Sequence, residues 1–138
     1  MFYTFPFKNY LCDGTEELVE YVRSRGDVII FTDGDLVYQP MKIKNLNFSR
    51  DIDEIFVFED KMGNIQNILK IYSNSKKIVL DDKITILEEF EKRNKEVITI
   101  HIKQGSYKSL LPKNKSFKAD FEVVNTRSAL DVIKNLHV

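Results

Sequence analysis

Residues 77–87 read Lys77-Ile78-Val79-Leu80-Asp81-Asp82-Lys83-Ile84-Thr85-Ile86-Leu87, a short apolar run that ends in two adjacent aspartates and opens into a helical pattern. A run of this length, rich in β-branched residues, predicts a buried strand. Beyond the aspartates, Leu87 and Phe90 fall on one helical face, while Glu88, Glu89, Glu91 and Lys92 fall on the other. In an open α/β sheet, ligands bind beyond the carboxyl ends of the strands. The segment therefore predicts a fold class and also the edge at which chemistry would occur.

The same alternation extends in both directions. Gly14-Thr15 leads into a helix with Leu18, Val19 and Val22 on one face, and Gly26 ends it. Asp27 to Phe31 reads as a buried strand, followed by the polar turn Thr32-Asp33-Gly34-Asp35 and a helix around Gln39 to Leu46. Glu54 to Phe58 is the next strand, and Ile65, Ile68, Leu69 and Tyr72 then take one helical face. Downstream lie a strand at Val97 to Ile102, a loop rich in Lys, Asn and Ser, a strand at Phe121 to Val124, and a closing helix with Leu130, Ile133 and Leu136. Strands alternating with helices predict an α/β fold with a three-layer, Rossmann-like, open parallel sheet, formed by residues 1–138 as one domain.

Composition narrows the function. The chain has 138 residues, 43% of them hydrophobic and 30% charged, as expected of a soluble domain. Twenty-one Lys and Arg balance twenty-one Asp and Glu, so no net field draws the chain to nucleic acid or to an anionic membrane. Lys108, Lys113, Lys115 and Lys118 cluster, but with only Tyr107 and Phe117 beside them they read as a solvated loop. Cys12 is the single cysteine, which excludes an intrachain disulfide. No apolar stretch approaches the roughly 20 residues of a membrane span, and the N-terminus has no secretory pattern, so a cytoplasmic location is expected. His101, in a strand-like run, and His137, next to the last residue, are the only histidines, and neither placement favours a metal site or a Ser-His-Asp triad.

Three features carry chemistry. The Asp81-Asp82 carboxylates repel each other unless a cation or hydrogen-bond donors offset them. Mg2+ binds through one or two carboxylates plus water and phosphate, which suits the pair; the alternative is helix capping, with Asp82 as N-cap. Thr32 offers a hydroxyl to a phosphate oxygen beside the backbone N–H groups of Asp33 and Gly34; the alternative is an ordinary turn. Lys61 follows the Glu54–Phe58 strand, where a lone lysine is otherwise solvated. A hydroxyl, a lysine and an acidic pair at the ends of successive strands would together hold one phosphate and one divalent cation.

This order is similar to the second, third and fourth signature motifs of the haloacid dehalogenase-like hydrolases. FYTFPF (2–7), VIIFTDGDLVYQPMKI (28–43), FVFEDK (56–61), IVLDDKITIL (78–87) and IKQGSY (102–107) resemble one bacterial subfamily of that superfamily. Its members carry TFPF, [ST]DGD..FQP.KI, VDDK..IL and RQGHY segments. The resemblance implies a phosphatase-like hydrolase in which Thr32, Asp33, Gly34 and Lys61 bind phosphate and Thr32 and Lys61 take catalytic positions. Asp81 and Asp82 would bind Mg2+, and the substrate would be a small phosphorylated molecule. Asp35, Gln39 and Lys42 also match the subfamily, without an implied role. Lys103 and Ser106 replace its arginine and histidine.

The superfamily's first motif is an apolar strand ending in Asp-x-Asp, whose first aspartate attacks phosphorus. In the resembling subfamily that strand and a helical cap lie upstream of TFPF, and here Met1 stands directly before it. The expectation is a core without a cap and without its own nucleophile, either a degenerate binding protein or part of a split enzyme. The alternative is an active Mg2+-dependent phosphatase using Asp33, or an aspartate supplied from elsewhere. The absent strand belongs at the sheet centre, between the strands ending at Thr32 and Asp82. Phe2 to Phe5 could fill that slot, the flanking strands could pair directly, or another copy or a partner chain could supply it.

Overall fold

The computed structural model describes residues 2–5, 15–33, 54–58, 60–73, 76–103 and 111–136. Six strands form one sheet: β1 (Phe2–Phe5), β2 (Asp27–Asp33), β3 (Glu54–Phe58), β4 (Lys77–Asp81), β5 (Ile98–Ile102) and β6 (Phe121–Val123). Among the described residues four helices accompany them: α1 (Thr15–Arg23), α2 (Ile65–Ile71), α3 (Ile84–Arg93) and α4 (Thr126–Asn135). The strand order is β3-β2-β1-β4-β5-β6, and every pairing is parallel. The expected helix around Gln39 to Leu46 lies outside the described residues.

Strand residues alternate between the two faces with a period of two. Val28, Ile78, Leu80, Ile100 and Ile102 pack with Leu18, Val19 and Val22 of α1 and with Ala129 and Ile133 of α4. Ile29, Phe31 and Val79 face the other way, against Ile65, Ile68 and Leu69 of α2 and Ile84, Leu87 and Phe90 of α3. Phe31 and Phe90 meet edge to face, with centroids 6.0 Å apart at 88°. Covered on both sides, the strands need the near-continuous apolar runs that the sequence shows. The expected three-layer α/β sheet is the observed one.

Helix ends follow local chemistry. Gly26 donates its N–H to the Val22 carbonyl at 3.0 Å and closes α1. Asn125 caps α4, its side chain accepting the Ser128 N–H at 2.8 Å. Glu88 and Glu89, expected on the open face of α3, are half-buried. Glu88 accepts the backbone N–H groups of Lys113 and Asn114 at 2.9 and 2.7 Å, which ties the lysine-rich loop to α3. Lys113, Lys115 and Lys118 are exposed on it.

The central position belongs to β1. Tyr3 stands opposite Val28 on one side and Ile78 on the other, and Thr4 opposite Ile29 and Val79. Of the three ways to complete the sheet, the one seen is Phe2 to Phe5 serving as a short strand. β2 runs on past Ile30, the partner of Phe5, to Asp33.

Two tests follow from this arrangement. Thr4→Pro removes a donor from a strand paired on both sides, and should cost about 3 kcal/mol or more in urea unfolding, whereas Thr4→Val should be nearly neutral. Lys77, 2% exposed at the start of β4, provides the second. Burial lowers its pKa from the ordinary 10.5, and the charge of Glu96 opposes that shift. The unfolded chain thus holds this proton more tightly, so the contribution of Lys77 to stability should rise with pH from the lowered value up to 10.5. Lys77→Met should flatten that rise in denaturation curves taken across the interval.

Candidate functional site

The turn after β3 sets the position of Lys61. The Asp60 carboxylate accepts the Gly63 N–H at 3.1 Å, and the Asp60 carbonyl accepts from Asn64 Nδ2 at 2.6 Å. A Cβ on Gly63 would come within 2.5 Å of Asp60 Oδ2, so this tight loop depends on glycine or on displacing the carboxylate. The loop passes into a 3-10 turn, Met62–Asn64, and then into α2. Lys61 itself is 5% exposed.

From there the Lys61 ammonium reaches Asp81 on β4, with Nζ 2.5 Å from Oδ2. It also lies 5.3 Å from the centroid of the Phe31 ring on β2. β3 and β4 stand three positions apart in the sheet, about 14 Å at the usual strand spacing. Lysine and aspartate meet because the chain beyond Phe58 turns back over the carboxyl ends of the intervening strands. A buried charge pair of this kind persists when each charge has a partner and further hydrogen bonds. Asp81 has both, since its Oδ1 accepts the Lys83 N–H at 2.9 Å.

Asp82 is the next residue, 4% exposed. The capping alternative does not hold: the N-cap of α3 is Lys83, and no side chain caps the helix. The physical reason is that Asp81 spends its free oxygen on the Lys83 N–H, which turns the chain one residue before the helix begins. The Asp82 carbonyl meets His101 Nε2 at 3.1 Å. His101 lies on β5 directly opposite Asp81 and is 3% exposed.

Of the residues singled out in the sequence, Lys61, Asp81 and Asp82 therefore come together. Thr32 and Asp33 end β2, in register with Val57 and Phe58 of β3, at the same edge of the sheet. Gly34, Asp35, Gln39, Lys42 and Ser106 lie outside the described residues. Lys103 is exposed and pairs with Glu122 at 3.1 Å, away from the acidic pair. Asp60 and Gly63 were not anticipated, and His101 was weighed only as a metal ligand or triad member and set aside. The Asp-x-x-Gly spacing at residues 60–63 was a readable signal of a tight turn, but nothing local marked His101.

The donor set suits a hard divalent cation. Among the described residues no group of three or more His, Cys, Asp or Glu side chains gathers as a metal cluster. Two adjacent carboxylates are nevertheless the usual protein share for Mg2+, which keeps several waters. The formal charges of Lys61, Asp81 and Asp82 sum to −1, which leaves room for a cation. No helix among the described residues is long and apolar enough to cross a membrane.

No protein-family model and no curated protein sequence matches the chain. Solved structures do. A protein of Burkholderia xenovorans described as a haloacid dehalogenase-like hydrolase superimposes with a TM-score of 0.76 at 23% identity, over 91% of this chain and 58% of its own. The HAD-type hydrolase YfnB of Bacillus subtilis, solved bound to magnesium, gives 0.69 at 14% identity, over 88% and 55%. A haloacid dehalogenase-like family hydrolase of Streptococcus pneumoniae gives 0.66 at 16%, over 88% and 59%. The fold is that of the haloacid dehalogenase-like core, and the chain spans less than two thirds of each of these relatives.

The buried pair gives a direct test. Lys61→Met strands the Asp81 carboxylate and should cost about 3 kcal/mol. Adding Asp81→Asn should recover part of that loss, so that a double-mutant cycle in urea shows coupling well above the scatter expected of independent sites.

Proposed function

We propose that this chain is a haloacid dehalogenase-like domain that holds a small phosphorylated molecule and Mg2+ at the carboxyl ends of β2, β3 and β4, without an aspartate nucleophile of its own. The observation that carries the reading is the central strand. Phe2, Tyr3, Thr4 and Phe5 occupy the slot between β2 and β4, and none of them is a carboxylic acid. Phosphoryl transfer by the superfamily route needs a carboxylate there to attack phosphorus.

Support for binding comes from the three strand ends. The Thr32 hydroxyl and the backbone N–H groups after it would donate to a phosphate oxygen, and Lys61 would offset the phosphate charge. Asp82, with Asp81 beside it, would hold Mg2+, which when bound supplies the positive charge that lets a phosphate approach two carboxylates. Lys61 already shares its charge with Asp81. The role that follows is a binding or regulatory one, or that of one part of a split enzyme.

A second reading has one observation in its favour: β2 extends through Asp33 to the edge where Asp81 lies. Asp33 would then be the nucleophile of an active phosphatase. The two readings separate in one experiment. The purified chain is assayed with an aryl phosphate and Mg2+ beside Asp33→Asn and Asp82→Asn, and Mg2+ binding is followed by calorimetry. The expected result is no turnover above blank, with Mg2+ binding weakened about tenfold or more in Asp82→Asn. Turnover in the wild type that is lost in both variants would replace this reading with the second.

A further inference from the structure

We propose that His101 is a positioning residue for the acidic pair: its imidazole holds the Asp82 backbone carbonyl and so sets the turn that presents Asp82 to a divalent cation. This rests on the Mg2+ reading above and adds a residue to it from a strand that carries none of the recognised segments' acidic or basic groups.

The geometry gives the imidazole one defined task. A carbonyl oxygen only accepts, so at 3.1 Å His101 Nε2 must carry the hydrogen and donate it. That leaves Nδ1 as the second ring nitrogen, and it is buried with no hydrogen-bond partner among the described residues. A buried polar atom left unpaired costs about 1–3 kcal/mol, a cost that an apolar side chain of similar size would not incur. The neighbours Ile100 and Ile102 are buried and apolar, while Thr99 on the same strand is buried and hydrogen-bonded to Asp120. An apolar residue at position 101 would lack the bond that His101 makes to the Asp82 carbonyl.

That bond falls at the turn between β4 and α3. Asp82 lies past the last ladder residue of β4 and before the uncapped start of α3. Asp81 is pinned on one oxygen by Lys61 and on the other by the Lys83 N–H. His101 adds the third restraint, on Asp82 itself, from the neighbouring strand. Groups that orient a metal-binding residue without touching the metal commonly change its affinity about 10–100-fold.

The test uses the full chain and Mg2+ alone, titrated by calorimetry against wild type, His101→Phe, His101→Gln and His101→Asn. Phenylalanine fills the space without a donor, and glutamine places an amide N–H near the Nε2 position. His101→Phe should bind Mg2+ about tenfold or more weakly while melting no lower than wild type, and His101→Gln should recover most of the loss. If His101→Phe does not fold, His101→Asn takes its place, since its amide reaches only the Nδ1 position and should bind weakly. Long-range nitrogen–proton NMR of the wild type should show the Nε2–H tautomer. Wild-type affinity in His101→Phe or His101→Asn, no recovery in His101→Gln, or an Nδ1–H tautomer would overturn the positioning role alone. A wild type that binds no Mg2+ would instead sink the Mg2+ reading, and this proposal with it.

Discussion

The sheet depends on three residues, Phe2, Tyr3 and Thr4, being paired on both sides at once. A parallel sheet buried under helices has no water to satisfy its backbone, so each N–H and C=O of β2 and β4 that faces inward must find a strand. Phe2 to Phe5 meets that demand, with Thr4 lying between Ile29 and Val79. The helices come after this. α1 and α4 can cover one face, and α2 and α3 the other, because β1 makes one continuous surface of the two halves.

The ends of the neighbouring strands shape the site. β2 reaches three residues beyond the partner of Phe5, and β4 ends at a carboxylate. The chain after β3 folds over this edge, held by Asp60, Gly63 and Asn64, and brings the Lys61 ammonium over Phe31 to Asp81. An ion pair removed from water in this way is a weak source of net stability but a strict geometric demand. It fixes the distance between the β3 turn and the end of β4. His101 extends the same restraint sideways to Asp82. In the proposed reading, binding chemistry and structural integrity rest on one small set of groups.

Much of this was legible in the residues. The strands at Glu54–Phe58 and Lys77–Asp81, and the buried faces of α2 and α3, follow from hydrophobic period alone, because burial on one side leaves its mark at each turn. Lys61, Asp81 and Asp82 could be named because each stands where a strand gives way to a loop. Their contact could not be read, since strand order is a non-local choice and residues 61 and 81 are separated by a whole helix. The capping role of Asp82 failed because Asp81, not Asp82, accepts the Lys83 N–H, and Lys83 is the N-cap of α3.

Taken by itself, then, the sequence determined the alternation of strands and helices, the parallel sheet, and the edge at which polar groups would collect. Those properties are written in local period and composition. Only the tertiary structure decided that Phe2 to Phe5 stands at the centre, that Lys61 crosses the sheet edge to Asp81, and that His101 holds the Asp82 carbonyl. Each of these joins groups distant in the chain, and long-range pairing is chosen by the sum of backbone satisfaction and burial over the whole sheet, which no single segment records.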